Sequence, residues 1–158
     1  MFLLSAATHR MVLQYHPRIG HLYVPRVSAR IPGEQGAYFL RTNAQGFRSD
    51  VDFVPAKGEK PRILVFGDSY TAGDGVANDA RYPEQLGEMF GAEVYNYGLA
   101  GTGTDQHLLI LEELARGVSA DLVILGLAVH NIDRIKVAFR EYIERSTGRH
   151  VLGPKPYF

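Results

Sequence analysis

From residue 62 onward the chain alternates short apolar runs with longer segments whose apolar residues recur at helical spacing. The first run, Arg62-Ile63-Leu64-Val65-Phe66, stops at Gly67 and predicts a strand buried on both faces. Residues 93–97 and 122–129 predict two more strands of this kind, each ending in Gly or Asn beside small residues. Between them, residues 81–90 predict a helix with Pro83 in its first turn, where a missing N–H does no harm, and Gly91 at its end. A second helix is predicted over residues 104–116, with Leu108, Leu111, Leu114 and Ala115 on one face and Gly117 as its C-cap. Ile132, Ile135, Phe139, Tyr142 and Ile143 predict a last helix, closed by Thr147 and Gly148, before an extended Gly153-Pro154-Lys155-Pro156. Strands and helices in this alternation predict an α/β fold with a parallel sheet and right-handed crossovers.

The first 37 residues read differently. Pro17, Pro25, Pro32, Gly20, Gly33 and Gly36 rule out a long helix or a central strand, so this part is expected to wrap the rest. Tyr38-Phe39-Leu40-Arg41-Thr42 predicts a short strand that Asn43-Ala44-Gln45-Gly46 turns back. Pro55, Gly58 and Pro61 mark residues 50–61 as a linker. The expected organisation is a lead-in over residues 1–60 packed on an α/β domain over residues 61–158.

Composition changes this picture little. A hydrophobic fraction of 46% and a charged fraction of 22% are ordinary for a soluble globular chain of 158 residues. There is no cysteine, which excludes disulfides and thiolate metal sites and leaves cytoplasm and periplasm both open. The apolar opening Met1-Phe2-Leu3-Leu4 lacks a positive region before it and is too short for a membrane span, so no transmembrane segment is expected. Net charge is zero but uneven: residues 1–48 hold six Arg and one Glu, and residues 50–133 hold fourteen acids and five bases. The Arg residues are spread singly, which points to a basic lead-in lying on an acidic surface rather than to an arm for nucleic acid or anionic lipid.

Candidate chemistry gathers where the three predicted strands end. Ser69 follows the first strand through Gly67 and Asp68, Gly101 closes the turn after the second, and Asn131 follows the third. Carboxyl ends of parallel strands form the ligand-binding rim of an open α/β sheet. A hydroxyl, a glycine N–H and an asparagine amide at that rim make a nucleophile with donors for an oxyanion. Asp68 reads as a turn and helix-start carboxylate.

These residues resemble the SGNH hydrolases, also called GDSL esterases and lipases. Gly67-Asp68-Ser69 matches the block that carries that family's serine nucleophile, and Asn96-Tyr97-Gly98-Leu99-Ala100-Gly101 resembles its second block. Val129-His130-Asn131-Ile132 keeps only the asparagine of the third, Gly-x-Asn-Asp. The resemblance covers roughly residues 40–135 and implies a three-layer α/β/α, flavodoxin-like sheet of strand order 2-1-3, incomplete here. It implies Ser69 as nucleophile, Gly101 and Asn131 as oxyanion donors, no cofactor, and an acyl ester of a small molecule, glycan or lipid as substrate. An Asn-x-x-Gly-x-Arg element of one subgroup corresponds to Asn43–Arg48, expected to be structural, with substrate contact by Arg48 as the alternative.

The family's Asp-x-x-His block has no counterpart in residues 1–158, so the base is unassigned. His130, beside Asn131, is a possible substitute; His107 is expected on a helix surface and His150 in a loose tail. The open edge of strand 122–129 is apolar and is expected to be covered by further strands, in a chain that continues, or by a partner. A rival reading is a binding or scaffolding module that keeps the fold without the chemistry, or a part of a glycan O-acetyl-modifying assembly. No metal is expected: Asp74 and Asp79 do not fit the twelve-residue calcium loop, and His130 with Asp133 is only two ligands. The glycine turns 73–75 and 98–103 lack phosphate-loop endings.

Overall fold

The computed structural model describes residues 12–33, 36–144 and 147–156. In chain order they form β1 (Leu13–His16), β2 (Gly20–Tyr23), β3 (Ser28–Gly33), β4 (Gly36–Arg41), β5 (Arg62–Phe66), α1 (Ser69–Ala72) and a 3-10 turn, Asn78–Ala80. There follow α2 (Tyr82–Phe90), β6 (Glu93–Asn96), α3 (Thr104–Ile110) with a π turn at Leu111–Ala115, β7 (Leu122–Leu125), α4 (Asn131–Ile135), β8 (Phe139–Ile143) and β9 (His150–Pro154).

The central sheet is parallel, in the order β6-β5-β7, which is the expected 2-1-3 arrangement. Val65 pairs with both Asn96 and Ile124, so the carboxyl ends of all three strands lie at one edge. Every residue of β5 is buried, as its unbroken apolar run requires. The outer edge of β7 has no neighbour among the described residues, and Leu122, Val123 and Leu125 are 51%, 51% and 50% exposed. No described helix is long and apolar enough to cross a membrane.

The lead-in holds more regular structure than its punctuation suggested. It forms two antiparallel hairpins, β1 with β2 and β3 with β4. Pro17 and Pro25 fall in turns, and Pro32 lies in a two-stranded ribbon, where an absent N–H need not break a ladder. Ile19, Leu22, Tyr23, Ile31 and Leu40 share one hydrophobic cluster with Leu64, Phe66, Tyr95 and Tyr97 of the sheet. Asn43 turns the chain back after β4 by accepting from the N–H groups of Gln45 and Phe47 through Oδ1, at 3.1 and 3.0 Å. The linker after it has no regular element and is held from below. Arg62 donates to the carbonyls of Val54, Pro55, Ala56 and Ser119 and pairs with Glu93 at 2.6 Å.

One other expectation fails and one holds in part. The last predicted helix ends after Ile135, and β8 (Phe139–Ile143) pairs antiparallel with β9 (His150–Pro154) instead. Apolar positions 139, 142 and 143 have helical spacing, which the pairing of β8 with β9 overrides; Thr147 and Gly148, the latter at φ +68°, lie between the two strands. The predicted face of the second helix holds in part: Leu111, Leu114 and Ala115 pack on the core, but Leu108 is half exposed, and Gln106, His107 and Ile110 are buried. Buried polar residues with partners outrank an exposed leucine here, and hydrophobic spacing cannot register that.

Arg48 answers the question raised by the Asn43–Arg48 element. It is wholly buried; Nη1 donates to Gly73 O at 2.6 Å, Nη2 to Val76 O at 2.7 Å and to Asn78 Oδ1 at 3.1 Å, and its guanidinium lies over the Tyr38 ring. The arginine anchors the loop after α1, with its buried guanidinium committed to these acceptors. Because a lysine ammonium cannot reproduce this fork, both Arg48→Met and Arg48→Lys should lower unfolding stability, by about 3 kcal/mol for Met, in urea titration. A midpoint equal to wild type in both variants would contradict the anchoring role.

Candidate functional site

β5 delivers the chain to Gly67, where a Cβ would stand 2.0 Å from Thr71 Oγ1, so no side chain is tolerated at this turn. Asp68, buried, caps α1 by accepting from the Tyr70 N–H at 3.0 Å, as its place in the sequence predicted. Ser69 is the first residue of α1 and is partly exposed. Gly73 closes this single turn at φ +75°, donating its N–H to Ser69 O at 2.9 Å.

The loop after β6 is packed directly onto that turn. Asn96 donates from Nδ2 to Thr71 O at 2.9 Å and accepts the Gly98 N–H through Oδ1 at 2.9 Å. A Cβ on Gly98 would be 2.5 Å from Ala72 N. Leu99 N–H donates to Gly67 O at 2.9 Å, and Thr102 N–H returns to Leu99 O at 3.3 Å, making a four-residue turn with Gly101 third, at φ +79°. Thr102 Oγ1 gives its proton to Leu99 O at 2.7 Å and therefore accepts from His107 Nε2 at 2.9 Å. Arg140 of β8 lies against Gly101, where a Cβ would be 2.7 Å from Nη1.

α4 closes the rim from the β7 side. Arg134 Nη1 donates to Asp68 Oδ2 and to Thr102 O, each at 3.1 Å, so one nitrogen ties α4 to both the serine turn and the glycine loop. Asn131 is 0% exposed, and neither Nδ2 nor Oδ1 has a hydrogen-bond partner. Leaving a buried amide unpaired costs about 1–3 kcal/mol, so such a group calls for a partner. His130 is half exposed; its Nε2 is 3.9 Å from Asp68 Oδ2 and 3.4 Å from Arg134 Nη2.

The segments carrying Ser69, Gly101, Asn131 and His130 thus adjoin one another around Asp68 and Arg134. His107, expected at a surface, is buried, because Thr102 gives its ring a partner inside. His150 pairs with Glu141 at 2.7 Å on the terminal hairpin. Sequence reasoning missed Arg134 and His21. The His21 ring, buried, lies 2.8 Å through Nε2 from Ala100 O. Arg134 sits four residues after His130, a helical spacing that is the one signal for it in the sequence; nothing marks His21, which lies 79 positions before Ala100. Among the described residues no three His, Asp or Glu side chains come together as a metal site. The broad surface hollows beside Arg26, Arg41 and Asp50 and beside Lys60, Glu88 and Gly91 contain no member of this rim.

A sequence model described as the GDSL-like lipase/acylhydrolase family matches residues 65–152, more than half of the 158. The crystal structure of AlinE4, an SGNH-hydrolase family esterase, is similar at 28% identity and TM-score 0.43, over 50% of this chain and 46% of that one. Two single-residue variants of AlinE4 match at 27% and 26% identity and TM-score 0.43, over 52% of this chain and 48% of theirs. The chain therefore spans about half the length of these solved structures. A search of curated proteins found no match.

Burial lowers both His107 and His21 to about 4, in His107 against the nearby charges of Asp68 and Asp105, so both rings are neutral at pH 7. The unfolded chain binds these protons near pH 6.5 and the folded chain does not. Their contribution to stability is complete above about pH 6.5 and is lost as pH falls toward 4, at up to about 1.4 kcal/mol per pH unit for each ring. In urea titrations at pH 7 and pH 5, His107→Gln should shrink the difference between the two midpoints; an undiminished difference would refute the assignment.

Proposed function

Because the chain belongs to the GDSL-like lipase/acylhydrolase family, we propose that it cleaves an acyl ester through Ser69. The observation that carries this reading is the fully buried, unpartnered amide of Asn131, in the segment that His130 and Arg134 bring to Asp68. Ser69 Oγ adds to the ester carbonyl and its proton passes to a base, while the carbonyl electron pair moves onto oxygen. That oxyanion is held by the N–H groups of Ser69 and Gly101 and by Asn131 Nδ2. An N–H in the first turn of a helix has no intrahelical acceptor, which leaves the Ser69 N–H available. Collapse of the adduct expels the alcohol, which takes the proton, and water then hydrolyses the acyl-serine by the same steps. Within this chain, the exposed His130 is assigned as the base.

One observation favours the rival, a fold that binds without hydrolysing. Arg134 holds Asp68 at 3.1 Å while His130 stands 3.9 Å away, so this carboxylate does not orient the imidazole. Turnover of p-nitrophenyl acetate and labelling by a fluorophosphonate distinguish the two. Under the esterase reading the wild type is labelled at Ser69, and Ser69→Ala abolishes both signals. Turnover undiminished in that variant would refute it, and a wild type neither labelled nor active would leave the binding module. His130→Gln should cut kcat by about 100-fold or more if its ring takes the proton. Wild-type kcat in this variant would remove His130 from the mechanism.

A further inference from the structure

The β1–β2 hairpin, which the sequence offered only as wrapping, reaches the back of the glycine loop. Gln106 links the two, donating from Nε2 to Ile19 O at 2.7 Å and accepting the Gly103 N–H at 3.2 Å. Two residues along the hairpin, His21 Nε2 meets Ala100 O at 2.8 Å, with the ring 2% exposed. A carbonyl only accepts, so Nε2 carries the proton and Nδ1 the lone pair.

The bonded carbonyl belongs to the same peptide unit as the Gly101 N–H. In the turn closed by Thr102 N–H on Leu99 O, Ala100 and Gly101 are the two central residues, and φ +79° at Gly101 is the value of a type II turn. Types I and II differ by a flip of that central peptide, and glycine in the third position tolerates both. In a planar trans peptide the O and H point opposite ways, so a flip would turn the Gly101 N–H away from any oxyanion it serves. A bond at Ala100 O selects one orientation. It also polarises the amide, strengthening its N–H as a donor by roughly 10–30%.

We propose that His21 is a positioning residue for ester hydrolysis, holding the Ala100–Gly101 peptide so that the Gly101 N–H faces the oxyanion. This rests on the reading of Gly101 as an oxyanion donor. The bond is needed for the transition state and not for ground-state binding. His21→Phe, which keeps a ring and loses the donor, should therefore lower kcat about tenfold or more with KM within about twofold. His21→Gln, whose amide can donate to the same carbonyl, should restore most of kcat. Wild-type kcat in His21→Phe, or equal losses in both variants, would overturn the proposal. If His21→Phe does not fold, His21→Met is the non-donor variant compared.

The Ala100 carbonyl 13C and Gly101 amide 15N resonances give a reading independent of turnover. Both should shift in the non-donor variant and return in His21→Gln; unchanged resonances in the non-donor variant would overturn the proposal. Ser69→Ala assayed alongside separates the two failures. Turnover that survives it removes the esterase reading, and the resonances then decide whether His21 holds the peptide.

Discussion

Three parallel strand ends in one register leave very little room at the rim where they finish. β5 carries a neighbour on each side, and the turn after it, the loop after β6 and the turn after β7 must all pass within contact of Thr71. A Cβ at Gly67, Gly98 or Gly126 would stand 2.0, 2.5 or 2.7 Å from the nearest atom of Thr71 or Ala72. Real side chains do not pack so closely, so these three positions accept only glycine. The same crowding brings the serine turn into the middle of the rim, with the glycine loop on one side and α4 on the other.

Packed loops of this kind carry backbone groups that water cannot reach, and long polar side chains satisfy them. Arg48 supplies the carbonyls of Gly73 and Val76, Arg62 those of the linker, and Arg134 joins Asp68 to Thr102 O. A hydrogen bond to a charged group contributes about 1.5–3 kcal/mol, and removing one partner leaves the other buried and unpaired. These arginines therefore hold loop geometry in place. Asn131 stands out against them as a buried amide with neither atom paired.

Much of this was legible in the sequence because local chemistry and global fold agree there. The apolar run into Gly67, the cap at Asp68 and the glycines at 98 and 101 each have one cheap conformation, and together they mark the strand ends that form the rim; the strand order came from the family resemblance. What stayed hidden depended on partners distant in sequence. Gln106 and His107 are buried because Ile19 and Thr102 receive them, so they share the inner face with Leu111, Leu114 and Ala115 while Leu108 is left exposed. Apolar residues 139, 142 and 143 have helical spacing, and the pairing of β8 with β9 overrides it. The hairpins of the lead-in use proline in turns and in a two-stranded ribbon, places where sequence punctuation and strand structure are compatible.

The central claim is that a hydroxyl at position 69 and donors at positions 101 and 131 share one oxygen-sized site. A crystal structure of the chain after covalent reaction with a small alkyl phosphonate tests it most directly. The account predicts phosphorus bonded to Ser69 Oγ, and one phosphoryl oxygen about 2.7–3.1 Å from both Gly101 N and Asn131 Nδ2. A phosphoryl oxygen turned to solvent, or an adduct on another residue, would contradict it.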